Sequence, residues 1–95
     1  MAVAVEVRFP NATLDQYDQM LQKAGLQGST GPPGLIFHWV TEDGDAMYAV
    51  DVWESREAFE AYAQEHMVPI AREVGIEGEP ELRFYDVHNT LSAAG

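Results

Sequence analysis

The order of the periodic segments is the feature that most restricts what this chain can fold into. Six segments have the hydrophobic period of a strand or a helix. In chain order they are a strand at residues 3–9, a helix at 14–24, strands at 35–41 and 46–53, a helix starting at 55, and a strand at 82–88. This β-α-β-β-α-β order predicts an α+β, ferredoxin-like fold with a four-stranded antiparallel sheet and both helices on one face.

Polar residues and a proline predict where the helices begin and bend. Thr13 and Gln16 have the spacing of a capping box, and Gly25 is a suitable end for the first helix. Ser55 is a suitable N-cap for the second helix. Pro69 removes one helical hydrogen bond, so we expect that helix to kink or restart around residues 67–70.

Length and charge limit the function classes. With 95 residues, 46% of them hydrophobic, the chain predicts a single domain over residues 1–95 with a small polar tail at 89–95. A formal charge of -11 argues against binding to nucleic acid or anionic membranes. The sequence has no basic segment ahead of a long apolar run, so we expect a cytoplasmic protein. The absence of cysteine excludes disulfides and leaves self-association as the way to bury more surface.

The hairpin formed by the second and third strands predicts which side chains share a face, because its turn at residues 42–45 has an even number of residues. One set contains Leu35, Phe37, Trp39, Tyr48, Val50 and Val52. It matches the apolar side of the first strand and is predicted to lie under the helices. The other set contains Ile36, His38, Val40, Met47, Ala49, Asp51 and Trp53. We expect it on the open face beside Glu6 and Arg8, covered by a second copy of the chain because it is too apolar to meet water.

Residues 52–62, Val-Trp-Glu-Ser-Arg-Glu-Ala-Phe-Glu-Ala-Tyr, resemble the strand-to-helix junction of antibiotic-biosynthesis-monooxygenase-like proteins of the dimeric α+β barrel superfamily. The resemblance implies a homodimer in which two ferredoxin-like sheets pair into a barrel. It also implies a choice among cofactor-free monooxygenases, haem-degrading enzymes, lactone isomerases, polyketide cyclases and non-catalytic proteins. The tryptophan and the haem-ligating histidine of the haem-degrading members are replaced here by Tyr62 and Arg72, so no haem or other cofactor is expected.

His38 and Asp51 are the candidate catalytic residues. They lie on neighbouring strands and share a predicted face, so Asp51 could orient the imidazole while His38 acts as a general base. The alternative is a histidine that only satisfies a polar position in a dimer interface.

Five further residues are candidates for substrate binding. Arg8 or Arg83 could stabilise an anion, Tyr85 could donate a hydrogen bond to it, and Trp53 and Met47 could wall the pocket. The alternative for the arginines is a structural ion pair. The facing of the last strand stays open, because Leu82, Phe84 and Asp86 compete for the helix side.

The remaining histidines predict no metal site, because the sequence offers no i, i+4 pair. His66 is expected to be a half-buried member of the second helix's apolar stripe, and His88 to lie at a strand end.

Two functions from different classes follow. One is a small cofactor-independent enzyme of monooxygenase, isomerase or cyclase type that acts on an aromatic or polyketide-like molecule. The other is a non-catalytic accessory or small-molecule-binding homodimer. A cavity of about 300 Å³ or more favours the enzyme.

Overall fold

The computed structural model describes residues 1–26 and 30–93, and its elements confirm the predicted fold. The elements are β1 (Val3–Phe9), α1 (Leu14–Ala24), β2 (Leu35–Asp43), β3 (Ala46–Trp53), α2 (Arg56–Tyr62), a π-helical turn (Ala63–Met67), α3 (Val68–Glu73) and β4 (Glu81–Asp86). The strands form one antiparallel sheet in the order β2-β3-β1-β4. Within the described residues, no helix is long and apolar enough to cross a membrane.

The predicted capping box begins α1. The backbone N–H of Gln16 donates to Thr13 Oγ1 at 3.1 Å, and the backbone N–H of Thr13 donates to Gln16 Oε1 at 3.0 Å. Gly25 ends the helix with φ 73°, a left-handed conformation that glycine adopts at little cost. These contacts fix the start and the end of α1.

The second helical segment begins as predicted, with Ser55 Oγ accepting from the backbone N–H of Ala58 at 3.1 Å. The predicted interruption takes the form of a π-helical turn just before Pro69, in which the N–H of Val68 donates to the carbonyl of Ala63. A π-helical turn holds an extra residue and rotates the residues after it around the helix axis. Met67 packs against the core at the end of this turn, whereas His66 does not belong to the core cluster. The His66 side chain is 54% exposed, and its ring lies 5.3 Å from the Tyr62 ring.

The register of β1 against β3 corrects the predicted faces of the sheet. Val3 pairs with Trp53 and Val5 with Asp51, so the apolar side of β1 shares its face with the set that contains His38, Asp51 and Trp53. We call this the helix-side face. The division of the hairpin into two sets is confirmed from Phe37 onward, because the shorter Gly44-Asp45 turn is also even-numbered. A β-bulge between Leu35 and Phe37 pairs Leu35 with Trp53 and so takes Leu35 out of its predicted set. The assignment of the sets to the two sides of the sheet is wrong.

The assignment was wrong because it assumed that the more apolar of the two sets would lie under the helices. In the structure His38 and Asp51 lie there instead, with Asp51 buried and His38 partly buried, and hydrogen bonds to each other and to Tyr17 and Trp53 satisfy them. The opposite side, the open face, carries Phe37, Trp39, Tyr48, Val50 and Val52 together with Glu6 and Arg8. Val50, predicted to lie under the helices, is therefore on the open face.

The register of β4 decides its facing, which the sequence left open. Phe84 pairs with Val5 and lies on the helix side, whereas Arg83 pairs with Glu6 and shares the open face with Tyr85. The centre of the core is Val5, Trp53 and Phe59, the largest fully buried side chains. The rings of Trp53 and Phe59 meet edge to face with centroids 5.8 Å apart.

Candidate functional site

A cavity of about 690 Å³ lies between α1, the helix-side face of the sheet and the second helical segment. Apolar side chains make most of its wall, among them Phe9, Met20, Leu21, Met47 and Met67. Helix α1 has no buried residue because its apolar side borders this space. Its size suits a molecule of several fused rings.

Four side chains form a hydrogen-bonded chain along the cavity wall. The Tyr17 hydroxyl lies 2.7 Å from His38 Nε2, and His38 Nδ1 lies 2.5 Å from Asp51 Oδ1. Trp53 Nε1 donates to the other oxygen, Asp51 Oδ2, at 3.1 Å. Tyr17, His38, Asp51 and Trp53 all line the cavity, and we call them the polar chain.

The partners decide the direction of each hydrogen bond. An ionised carboxylate only accepts, so Asp51 takes one bond from Trp53 and one from the Nδ1–H of His38. In a neutral imidazole the proton on Nδ1 leaves Nε2 as an acceptor, and the Tyr17 hydroxyl donates to it. Asp51 is only 7% exposed, so these bonds compensate a carboxylate that water barely reaches.

Burial and the Asp51 charge also act on two phenols of the cavity. Burial, followed by the negative charge of Asp51, raises the pKa of Tyr17 above its ordinary value of 10.0. The same two causes, in the same order, raise the pKa of Tyr62. Both hydroxyls therefore keep their protons at neutral pH and can donate hydrogen bonds.

Within the described residues, the cavity lining contains one carboxylic acid, Asp51, and one histidine, His38. The described residues that line the cavity include no lysine and no arginine. In the same part of the chain, no group of three or more potential metal ligands is present.

The structure brings four of the seven predicted site residues together. His38, Asp51, Met47 and Trp53 line the cavity. Arg8, Arg83 and Tyr85 lie on the open face, so the expectation that they share a site with His38 is wrong. Tyr17 and Tyr62 also line the cavity, and neither was among the predicted site residues. A tyrosine within the apolar stripe of α1 was the available signal, because a half-buried hydroxyl usually has a partner.

The three open-face residues have partners of their own. Arg8 forms an ion pair with Asp43 at 2.6 Å, and the Arg83 guanidinium lies 5.6 Å from the centre of the Tyr85 ring. The Tyr48 hydroxyl donates to Glu6 Oε1 at 2.8 Å. This bond, followed by one from Tyr85, lowers the pKa of Glu6.

Comparison with known proteins finds no matching family model and no matching curated sequence. Solved structures do match over nearly the whole chain. A candidate antibiotic biosynthesis monooxygenase from Chloroflexus aurantiacus is 20% identical, with a TM-score of 0.64 and coverage of 97% of this chain and 98% of that one. SnoaB, a cofactor-independent oxygenase from Streptomyces nogalater, is 17% identical, with a TM-score of 0.60 and coverage of 97% of both chains.

A third structure is a monooxygenase from the gene ActVA-Orf6 of Streptomyces coelicolor in complex with Nanaomycin D. It is 18% identical, with a TM-score of 0.59 and coverage of 98% of this chain and 93% of that one. At these identities the likeness concerns the fold. The resemblance noted from residues 52–62 is confirmed at that level: the chain has the ferredoxin-like fold of the antibiotic biosynthesis monooxygenase-like structures.

Proposed function

We propose that the chain is a cofactor-independent enzyme of the monooxygenase kind, which removes a proton from a small hydroxylated aromatic molecule held in the cavity. The observation that carries the proposal is the His38–Asp51 pair, 2.5 Å apart, in the wall of an apolar cavity of about 690 Å³. Two proteins of similar fold support the reaction class: SnoaB is described as a cofactor-independent oxygenase, and the ActVA-Orf6 monooxygenase was solved with Nanaomycin D.

The chemistry needs a base and an apolar enclosure. Loss of a proton converts a polycyclic phenol or its keto form into an electron-rich anion, which is the form that dioxygen oxidises. For a substrate with a ring CH₂, one oxygen atom becomes the new carbonyl, and the other leaves as water with the two hydrogens of that carbon. The substrate supplies both electrons for the water, so no external reductant is required.

The charges of the cavity favour an uncharged substrate. A buried carboxylate in the wall, with no arginine or lysine among the described lining residues, would repel a second carboxylate. The anion formed by proton transfer would instead lie near the newly protonated imidazole, whose charge Asp51 balances. We therefore expect neutral phenols and their keto forms to be preferred over carboxylic acids.

His38→Asn tests the proposal. The Asn amide can replace Nδ1–H as the donor to Asp51, so the buried carboxylate keeps a partner while the base is lost. We expect oxygen uptake with polycyclic phenols to fall about 10²–10⁴-fold while thermal melting changes little. His66→Asn is the matched control, because that histidine is exposed and lies outside the cavity lining, and it should behave like the parent.

The same experiment weighs the alternative of a non-catalytic accessory or binding homodimer. Oxygen uptake that is absent in the parent across the panel, together with binding of the same compounds, would favour the alternative. Parent-like uptake by His38→Asn would remove His38 from the chemistry.

We also propose a homodimer in which the open face meets the open face of a second copy. Phe37 is 61% exposed, and Trp39 and Tyr85 are each 44% exposed on this face, which is a large apolar area to leave in water. Its charged residues are close to balanced, because Arg8 and Arg83 lie beside Glu6, Asp43 and Glu81. The overall charge of -11 therefore resides mainly elsewhere. Light scattering should give twice the 10.5 kDa chain mass.

A further inference from the structure

Both ring nitrogens of His38 are already engaged. Nδ1 donates to Asp51, and Nε2 accepts from the Tyr17 hydroxyl at 2.7 Å. A substrate therefore cannot reach the lone pair of Nε2 unless it displaces Tyr17 or passes its proton through Tyr17. The position of Tyr17 suits proton transfer through its hydroxyl, because Tyr17 lines the cavity and contacts Nε2.

Tyr17 is held in place for this contact. Its ring stacks on the His38 ring with centroids 5.8 Å apart and planes inclined by 16°. Its helix is fixed one turn earlier by the capping box, and Gln16 Nε2 donates to the Val74 carbonyl at 3.3 Å, which ties α1 to the end of α3. A rotation of the Tyr17 side chain away from Nε2 would break the hydrogen bond to His38 and the stacking of the two rings.

The hydroxyl of Tyr17 has both the donor and the acceptor that a proton relay needs. A phenol has one proton to donate and oxygen lone pairs that accept. Its proton is committed to Nε2, so the oxygen can accept a hydrogen bond from a hydroxyl in the cavity. With its pKa raised by burial and by Asp51, Tyr17 rests as a phenol and does not itself place an anion in the cavity.

We propose that Tyr17 is a catalytic residue that relays the substrate proton to His38. This inference rests on the proposed function. In the step, the substrate O–H bond breaks as a new O–H bond forms on Tyr17, while the original Tyr17 O–H bond breaks and an Nε2–H bond forms. The result is a substrate oxyanion, a neutral Tyr17 and an imidazolium held by the Asp51 carboxylate. No electron is transferred, and the proton returns by the same route.

A nitronaphthol probe separates proton transfer from oxygen chemistry, because its ionised form is coloured and it is not consumed. We expect the parent to bind the probe in the ionised form at a pH where it is neutral in solution. Tyr17→Phe keeps the ring and its packing but removes the relay oxygen. It should bind the probe within a few-fold of the parent affinity and leave it neutral.

Tyr48→Phe is the matched variant, because it removes a phenol hydroxyl that bonds Glu6 outside the cavity and leaves the Tyr17–His38 contact in place. We expect it to retain ionisation of the probe. A measurement on the parent alone adds a second readout: nitrogen NMR of His38 should show a proton on both ring nitrogens when the ionised probe is bound.

Several outcomes would overturn the relay. Ionisation by Tyr17→Phe equal to or greater than that of the parent would mean that the substrate reaches Nε2 directly and that Tyr17 only occupies it. Loss of binding in Tyr17→Phe would make the hydroxyl a binding group. An unprotonated Nε2 in the complex of the parent with the ionised probe would also exclude the relay. The same conclusion would follow if the probe stays neutral or unbound in the parent.

The relay and the proposed function fail separately. If the parent ionises the probe through Tyr17 but consumes no oxygen with any polycyclic phenol, the relay stands and the monooxygenase proposal falls. If oxygen uptake occurs and Tyr17→Phe retains it, the function stands and the relay falls. The double variant Tyr17→Phe with His38→Asn should be no slower than the slower single variant, because residues that act in one step are not additive.

Discussion

Asp51 is the residue on which the polar chain depends. Burial of a carboxylate is costly unless hydrogen bonds replace the water it loses. Here Trp53, two residues after Asp51 on the same strand, supplies one donor, and His38 on the neighbouring strand supplies the other. Trp53 therefore positions the carboxylate, and the carboxylate in turn fixes which nitrogen of His38 carries the proton.

Asp51→Asn should disable the base while changing little of the volume. His38 and Trp53 bind different oxygens of Asp51, and in the amide one of these oxygens becomes an NH₂ group that cannot accept. With the amide oxygen kept on Trp53, the NH₂ group faces His38 and favours the imidazole tautomer with the proton on Nε2. We expect oxygen uptake to fall about 10²–10⁴-fold. Nitrogen NMR should show the proton moved from Nδ1 to Nε2.

Asp43→Asn is the control for that substitution, because Asp43 is an exposed carboxylate that pairs with Arg8 on the open face. It should keep the parent rate. A parent-like rate in Asp51→Asn would contradict the role assigned to the carboxylate.

At the scale of the elements, the sheet has two different sides. The helix-side face carries the core and the wall of the cavity, and the open face carries exposed aromatic residues. Val50 is a useful reporter because it lies on the open face, paired with Trp39 on one side and with Glu6 on the other.

Val50→Asp should separate the copies and leave the chain folded. The new carboxylate would lie beside Glu6 in the proposed interface, where desolvation and like charge both oppose association. We expect light scattering to give a mass of 10.5 kDa in place of twice that value, with the circular dichroism spectrum preserved.

Val5→Asp is the comparison on the other side of the same sheet. Val5 is 0% exposed in the core, so an unpaired charge there should unfold the chain. A Val50→Asp variant that unfolds as completely as Val5→Asp would show that the open face is part of the core.

The elements were more predictable than their orientation. Alternation, capping residues and Pro69 each act locally, so the element order, the α1 cap and the helix interruption could be read from the sequence. The side of the sheet that the helices cover depends on the pairing of β1 with β3, which are far apart in the chain. Composition was misleading there, because His38 and Asp51 satisfy each other in the interior while Phe37 and Trp39 lie outside.

Part of the site was predictable for the same reason. The parity of the turn predicted that His38 and Asp51 share a face, and this is confirmed. Their direct pairing depends on the two-residue Gly44-Asp45 turn, whereas the sequence analysis expected a turn at residues 42–45. Tyr17 meets His38 only through the placement of α1 over the sheet, which no local pattern encodes. Arg8 and Arg83 were expected beside His38 because the predicted sides of the sheet were exchanged.

For the whole molecule, all four tyrosines have a raised pKa, for two different reasons. Burial is the main cause for Tyr17 and Tyr62. A hydrogen bond to Glu6 is the main cause for Tyr48 and Tyr85. A group whose pKa is higher in the folded state contributes stability that is complete below its unfolded pKa and is lost as the pH rises through its folded value.

The chain should therefore lose stability in alkali. Below the ordinary tyrosine pKa of 10.0 the contribution of the four phenols is intact, and above it the folded state should weaken. In an absorbance titration followed together with circular dichroism, tyrosine ionisation should lie above 10.0 and coincide with unfolding at its upper end. Tyr48→Phe should reduce the pH dependence, and titration of all four tyrosines at their ordinary value in the folded chain would contradict the assignment.

The alternation of side chains along β3 has an evolutionary consequence. Asp51 and Trp53 belong to the polar chain, whereas Val50 and Val52 belong to the open face. Under the proposed function and the proposed homodimer, substitutions at the first pair would act on the chemistry, and substitutions at the second pair would act on the assembly. A related protein could therefore change its substrate range without a change in its quaternary structure. The positions at which it differs along β3 would show which of the two properties had changed.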